Sequence, residues 1–465
     1  MPTLEQTGFD LTRFDGATLA QLEYTAHRAA AFELFNALPV PAAKDEEWRH
    51  SPAKLFPFAD FQIASPPRAS SAPLVSGWQH DFDAIIEITD ETFSIQNRAA
   101  ALEILPLADA PAAAPNHRRK FAALGQAFWN TGFFIRARAG APARLLVNWR
   151  FAGAGKLHIP RLVVIAEPDA KLTLVERFQT ASDVTPGATD AESETRPTEK
   201  DAGNCRPGLR PGENDAGRRF QGLEKETTGF SKPWKTEDSL AVIGAHEFHV
   251  GAGAVLERVA LHEWNSATVC IAEDAVTVAG RGRADWVTAV LGGRAVKLTA
   301  GCDVAGARAE ANLSGLYFAD GAQHVDQRTL QRHSAPDTTS HLLYKGAVRD
   351  QSHTIYQGLI QAARGAVRVD AYQMNRNLVL NEGARADSLP GLEIDADDLK
   401  CSHGSATGSL DPEQLFYLRA RGVPEAEARC LLVDAFFEEV IGKVSHERVR
   451  EHLRAAVARK MEAVT

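Results

Sequence analysis

Between residues 131 and 405 the apolar residues of this chain fall in short alternating runs, and beyond 411 they recur at helical spacing. FFIRAR, RLLVNWRF, RLVVIAE and KLTLVERF come first. AVLERVALHEW, WVTAVLGG, AVKLTA, AEANLSGLYF, AVRVDAYQ and LEIDADD follow after residue 250. Alternation with period two puts every second side chain on one face, which is the signature of half-buried strands. Glycine-alanine pairs at Gly251, Gly253, Gly306, Gly321, Gly346, Gly365 and Gly383 punctuate these runs and are expected to be turns. Many short strands with recurring turns fit a barrel, a sandwich or a stacked β-solenoid. The irregular spacing of the turns does not choose among them.

The flanks differ. Leu19, Leu22, Ala26, Ala29 and Ala30 predict an amphipathic helix over 16–37, stopped by Pro39 and Pro41. Residues 65–73 predict a loop, 84–95 a strand or short helix, and 111–128 a second helix. At the other end, Asp411-Pro412-Glu413-Gln414 has the form of an N-cap, a proline at the first helical position and a capping-box glutamine. Gly422 predicts the stop of that helix. A further helix follows Pro424, with Ala428, Leu431, Leu432, Ala435, Phe436, Val440 and Ile441 on its apolar side. Ser445 is expected to cap a last one carrying Val449, Leu453, Ala456 and Val457. Residues 181–236 hold almost no large apolar side chains and predict a disordered surface insertion, because they bury too little to offset the entropy of ordering. The chain therefore divides into an N-terminal helical or mixed domain (1–130), a β core (131–405) carrying that insertion, and a C-terminal helical domain (406–465).

Composition narrows the function. The chain has 465 residues and a net charge of -9, with no Lys/Arg run of five. That argues against nucleic acid or an anionic membrane as the main partner. No apolar stretch approaches the roughly 20 residues of a membrane span, and MPTLEQTGFDLTRFDG lacks a signal pattern, so a cytoplasmic location is expected. Cys205, Cys270, Cys302, Cys401 and Cys430 are odd in number and scattered, a thiol pattern rather than a disulfide framework.

Enzyme signatures fail one by one. Gly153-Ala154-Gly155-Lys156 runs into Leu157 and is no phosphate-binding loop. His246-Glu247-Phe248-His249 is one residue short of a zinc motif, and in a strand its histidines face opposite ways. Asp285 breaks a dinucleotide fingerprint after Gly280. Cys270 and Cys302 sit in apolar runs and read as core thiols; Cys430 reads as packed among the C-terminal helices. His324 and Asp326 would share a strand face, with His333 near in sequence, but such histidines are commonly structural. Asp395, Asp397 and Asp398 read as a solvated acidic turn. The candidate that remains is Cys401-Ser402-His403. On a strand its thiol and imidazole share a face and suit zinc, copper or an iron–sulfur cluster. Two donors do not complete a site, so others must come from elsewhere in the chain or from a partner.

The same stretch carries a family resemblance. Asn375-Arg376-Asn377-Leu378, then Leu392-Glu393-Ile394 and Asp397-Asp398-Leu399-Lys400-Cys401-Ser402-His403-Gly404, then Leu415-Phe416-Tyr417-Leu418-Arg419-Ala420-Arg421-Gly422, resemble the SufB/SufD family of the Suf iron–sulfur cluster assembly machinery. Asp45-Glu46-Glu47-Trp48-Arg49, His324-Val325-Asp326 with His333, Tyr344-Lys345-Gly346 and Asp370-Ala371-Tyr372-Gln373 add to it, densely over 240–445 and sparsely before. The Cys-Ser-His-Gly form and the length favour the SufD branch over the SufB-like scaffold branch. The resemblance implies a mainly β fold, a right-handed parallel β-helix with helical domains at both ends. It implies a non-catalytic scaffold that pairs with SufB through the β-helix, or with itself when alone. It implies a SufC ATPase docked on the C-terminal helices, where Phe416, Leu432 and Phe436 are the candidate contacts. His403, and less directly Cys401, would lie at a nascent iron–sulfur site shared with SufB, with no cofactor held stably by this chain alone. Two other readings stay open: a purely structural β-helix protein, and a carbohydrate-active β-helix using Asp395–Asp398.

Overall fold

The computed structural model describes residues 9–22, 25–42, 44–71, 77–111, 119–153, 155–181 and 238–462. The insertion expected over 181–236, with Cys205, lies outside the described residues but for its first position. In chain order the strands are β1 (Gln62–Ile63), β2 (Arg68–Ala69), β3 (Ala84–Ile88), β4 (Thr92–Asn97), β5 (Leu102–Pro106), β6 (Thr131–Ala137), β7 (Ala143–Phe151), β8 (Lys156–His158), β9 (Pro160–Ala166) and β10 (Lys171–Thr180). After the insertion come β11 (Leu240–Val250), β12 (Val255–Glu263), β13 (Thr268–Val278), β14 (Arg283–Val290), β15 (Ala295–Val304), β16 (Glu310–Ala319), β17 (His324–His333), β18 (Thr339–Val348), β19 (His353–Ala362), β20 (Val369–Val379), β21 (Arg385–Ile394) and β22 (Leu399–Gly408). The described α-helices are α1 (Gly16–Ala20), α2 (Thr25–Ala37), α3 (Lys120–Phe128), α4 (Pro412–Ala420), α5 (Glu425–Ile441) and α6 (Glu447–Glu462).

From β9 onward each strand pairs in parallel with the strand two places away, so the chain winds as a parallel β-solenoid with two sheets, each of eleven strands among the described residues. This is the β-helix expected from the resemblance. The register is continuous. Val269 pairs with Ala295, Ala295 with His324, His324 with His353, and His353 with Arg385. Those steps differ in length, and for that reason no fixed repeat is visible in the sequence. The turns absorb the difference with left-handed residues, among them Gly253 (φ +70°) and Gly383 (φ +108°).

Alternation sends one face of each sheet inward. Val242, Phe248, Leu256, Cys270, Trp286, Val296, Leu313 and their neighbours stack into a continuous lumen core. Each outward face is covered by a different layer. α3 and the N-terminal segment lie on the first sheet, burying Trp48, Phe58 and Phe121 against Ile243 and Ile271. α5 and α6 lie on the second, burying Val433, Phe437, Val440, Val449 and Leu453 against Val259, Leu316 and Phe318. Among the described residues no helix is long and apolar enough to cross a membrane.

Several local expectations need correction. The helix predicted over 16–37 is broken into α1 and α2. Of the two forms expected for residues 84–95 the strand is the one found: β3 and β4 make an antiparallel pair whose β3 continues the second sheet. The helix predicted over 111–128 is α3, and residues 112–118 lie outside the described residues. Gly346-Ala347 is no turn but lies inside β18. A side chain at Gly346 would collide with the Tyr317 ring, which fills the lumen beside it. Ser445 does not cap α6; its hydroxyl donates to Glu257 Oε2 at 2.6 Å. The Asp411 cap and the Gly422 stop are as expected: Asp411 Oδ1 accepts from the Glu413 and Gln414 N–H groups, and Gly422 has φ +89°.

Candidate functional site

β22 is the last strand of its sheet and pairs only with β20, while β21 is the last strand of the other sheet. The solenoid therefore ends in two strand edges whose backbone groups have no sheet partner among the described residues. Such edges are templates for another chain unless they are covered. Leu392 and Ile394 on β21 are exposed there, at 39% and 38%.

Register fixes the inward side of β22. Ala371 pairs with Cys401, Gln373 with His403, Asn375 with Ser405 and Asn377 with Thr407. Since Ala371, Gln373 and Asn375 point into the lumen, so do Cys401 and His403. The shared face expected from their spacing is what the strand provides. Their surroundings differ. Cys401 is half-buried against Ile360, Val369 and Ala371. Burial, and then the Asp370 carboxylate, push its thiol pKa up, so it is a thiol rather than a thiolate at neutral pH. His403 is exposed at the mouth.

Beneath them the lumen turns polar. Asn377 Oδ1 accepts from Tyr317 Oη at 2.6 Å, and Asn375 Nδ2 donates to the same hydroxyl at 2.9 Å. Asn377 Nδ2 bridges Asn375 Oδ1 at 2.8 Å and Thr407 at 3.3 Å, which ties β22 to the turn below. Gln373, fully buried under His403, donates to the carbonyls of Gly358 and Gly391 at 3.4 Å. Its Oε1 accepts no hydrogen bond among the described residues. Chemically the mouth offers an imidazole, a half-buried thiol and a polar floor. Among the described residues no group of three or more His, Cys, Asp or Glu side chains converges to hold a metal ion. A metal-bearing species here needs donors from a second molecule.

The other histidines singled out from the sequence are held within the solenoid. His324 Nε2 meets Ser51 Oγ at 2.9 Å, and that hydroxyl donates to Asp326 Oδ2 at 2.6 Å. Lys297 also reaches Asp326 and donates to the Glu47 carbonyl at 2.9 Å. Burial works against the Asp326 charge, but Lys297 and Arg328 outweigh it and hold the carboxyl below its usual value. His324, pushed down to about 3 by burial, stays neutral. This cluster locks the Asp45–Ser51 stretch onto the first sheet. His333 lies on the opposite face of β17, inside the lumen, held by Thr338 at 2.7 Å and Ser340 at 2.8 Å. His246 and His249 also point to opposite faces of β11, as their spacing predicts. Asp395, Asp397 and Asp398 are exposed in the turn after β21. Cys270 and Cys302 are buried in the lumen, and burial pushes the Cys302 thiol up to about 12. Cys430 is half-buried on α5.

On the C-terminal helices Phe416 is 72% exposed, whereas Leu432 and Phe436 are half-buried. Phe436 lies under the Lys345 ammonium, 4.7 Å from its ring centre. Tyr417 and Leu431 are also exposed, at 57% and 45%, and were not among the candidate contacts read from the sequence. Also missed was the ionic core of the lumen. Arg258 binds Glu176 at 2.5 Å and Asp274 at 2.8 Å, with Arg258 and Glu176 buried and Phe248 and Trp286 packed against the guanidinium. The three are far apart in the chain, and no local pattern marks them.

Residues 223–436 match the family described as SUF system FeS cluster assembly, SufBD core domain. That interval contains the lumen from β11 onward and the mouth with Cys401 and His403. This part of the chain is a SufBD core domain. A Mycobacterium tuberculosis protein named as an iron-sulfur cluster assembly SufBD family protein is 42% identical over 224 residues, 46% of this chain and 56% of that one. The Escherichia coli iron-sulfur cluster assembly protein SufD is 29% identical over 213 residues, 46% of this chain and 50% of that protein. The Bacillus subtilis SufD is 34% identical over 130 residues, 28% of this chain and 30% of that protein. The chain thus spans about half the length of the first two of these family relatives, or less in the third.

Proposed function

We propose that this chain is a non-catalytic scaffold subunit of iron–sulfur cluster assembly, of the SufD kind, acting in the cytoplasm. The observation that carries the reading is the exposed His403 beside the half-buried Cys401 on the inward face of an unpaired edge strand, inside a SufBD core. The cluster is cargo here, not a resident group. Neutral imidazole is a borderline donor that suits iron, and the missing donors come from a SufB-type partner whose own solenoid end covers β21 and β22. Two open strand edges and the exposed Leu392 and Ile394 suit such a partner. The SufC-type ATPase docks on the exposed Phe416, Tyr417 and Leu431 and supplies the nucleotide chemistry that this chain lacks. A docked ATPase that changes shape would open and close the shared mouth.

The test is co-expression with SufB and SufC, anaerobic purification, and iron and sulfide analysis with His403→Ala beside the wild type. The expected result is an intact three-component complex with less iron and sulfide. Equal loading in the variant would leave His403 without a role and move the donors to the partner.

A further inference from the structure

Where the C-terminal helices meet the second sheet, two cavities of about 410 and 250 Å³ open side by side and share Asn312, Ser314 and Lys443. Their floor is the outward face of β14, β16, β18 and β20. Register sets Asn312, His341 and Tyr372 in one row, Ser314, Leu343 and Met374 in the next, and Lys345 and Arg376 in a third. The wall is the end of α5 with the turn through Lys443. The Ser445–Glu257 hydrogen bond closes one end at 2.6 Å.

Three features separate this groove from a packing gap. Ser314 on the floor is only 4% exposed, and its hydroxyl has no hydrogen-bond partner among the described residues. The hydroxyl lines both cavities and is free to meet a solvent or ligand atom. One end is cationic. Arg376, Lys443 and His341 line it, and its one lining carboxylate, Glu439, already binds Lys345 at 2.5 Å and reaches Arg376 only at 3.9 Å. Lys443 makes no ion pair among the described residues. The other end carries acceptors beside the paired Arg283. Asp285 and Glu257 line it beside Arg283, whose Nε holds Asp285 at 2.8 Å, and Asn312 spends its Nδ2 donors on Asp285 and Glu310 at 2.9 and 2.8 Å, which leaves its amide oxygen to accept.

We propose that this groove binds a small phosphorylated molecule that carries hydroxyl groups. Arg376 and Lys443 hold the phosphate, Ser314 donates to it, and the hydroxyls reach the Asp285 and Asn312 oxygens. Guanidinium and ammonium together suit a phosphate, one by its fork and one as a point charge. The combined size fits a ligand of that class. A sugar phosphate and a mononucleotide share this chemistry.

Calorimetric titration of the full chain with inorganic phosphate, ribose phosphate and adenosine monophosphate tests it. Ribose phosphate is expected to bind about tenfold or more tightly than inorganic phosphate, and Arg376→Gln or Lys443→Gln to weaken it by about tenfold each, as loss of one charge-assisted contact does. Equal affinity for ribose phosphate and the nucleotide indicates a sugar phosphate; tighter nucleotide binding indicates a base subsite. Both residues are exposed, so unchanged thermal midpoints are expected and separate lost binding from lost folding. Absence of heat with all three probes, or affinity untouched by both substitutions, overturns the proposal.

Discussion

The middle of the solenoid and its last turn are built from the same alternating strands, yet they do opposite work. In the middle, both sheets continue above and below, so an inward side chain is sealed by a turn on either side. There the lumen can hold Arg258 between Glu176 and Asp274, with Trp286 packed over the guanidinium at 4.2 Å. At the end, the inward face of β22 has a turn beneath it and none above. The same inward direction then produces exposure, and His403 becomes reachable because the stack stops. Position along the stack, rather than residue type, separates a structural polar group from an available one.

The comparison can be broken most severely at Arg258. Arg258→Ala leaves the buried Glu176 and the part-buried Asp274 without their counter-charge, and a loss of about 3–5 kcal/mol is expected, read as a lower urea midpoint. A loss below about 1 kcal/mol would mean that the middle of the lumen is as hydrated as the mouth. Next comes Tyr317→Phe, which removes the hydroxyl shared by Asn375 and Asn377. About 1–3 kcal/mol is expected, because Asn377 Oδ1 loses its donor and Asn375 Nδ2 keeps only the Tyr344 carbonyl, and faster amide exchange in β22 should accompany it. Unchanged exchange there would show that the Asn377–Thr407 link alone fixes the last strand.

Thiol chemistry sharpens the contrast without changing stability. Peptide mapping after alkylation of the native chain should find Cys401 modified slowly and Cys270 and Cys302 only after denaturation, because burial raises all three thiols but seals only the last two. Rapid native modification of Cys302 would contradict a closed lumen. The smallest effect is expected from His403→Ala on folding. As an exposed residue away from packing it should shift stability by no more than about 0.5 kcal/mol, so any loss of iron and sulfide in its complex reports on the site.

Much of this was legible in the chain. Alternation over β6–β22 and the broad apolar faces of α5 and α6 required strands and then helices. Cys401 and His403, two apart on a strand, had to share a face. Asp411, Pro412 and Gly422 mark their helix ends by local backbone geometry alone. The failures were also local in origin. Gly346 looks like the other glycines of Gly-Ala turns, but its missing side chain serves the Tyr317 ring across the lumen. Ser445 has the chemistry of a cap, but Glu257 offered a partner from another layer.

The sequence by itself determined element types, the facing of residues within each element, and the motifs that mark the family, because these depend on backbone geometry over a few residues. Only the tertiary structure decided that Cys401 and His403 stand at an open mouth, that His324 and Asp326 are spent on holding Ser51, and that Glu176, Arg258 and Asp274 form one ionic core. Each of those follows from which strand stacks on which and where the stacking ends. That register is set by packing and hydrogen bonds between segments distant in the chain, across turns of unequal length.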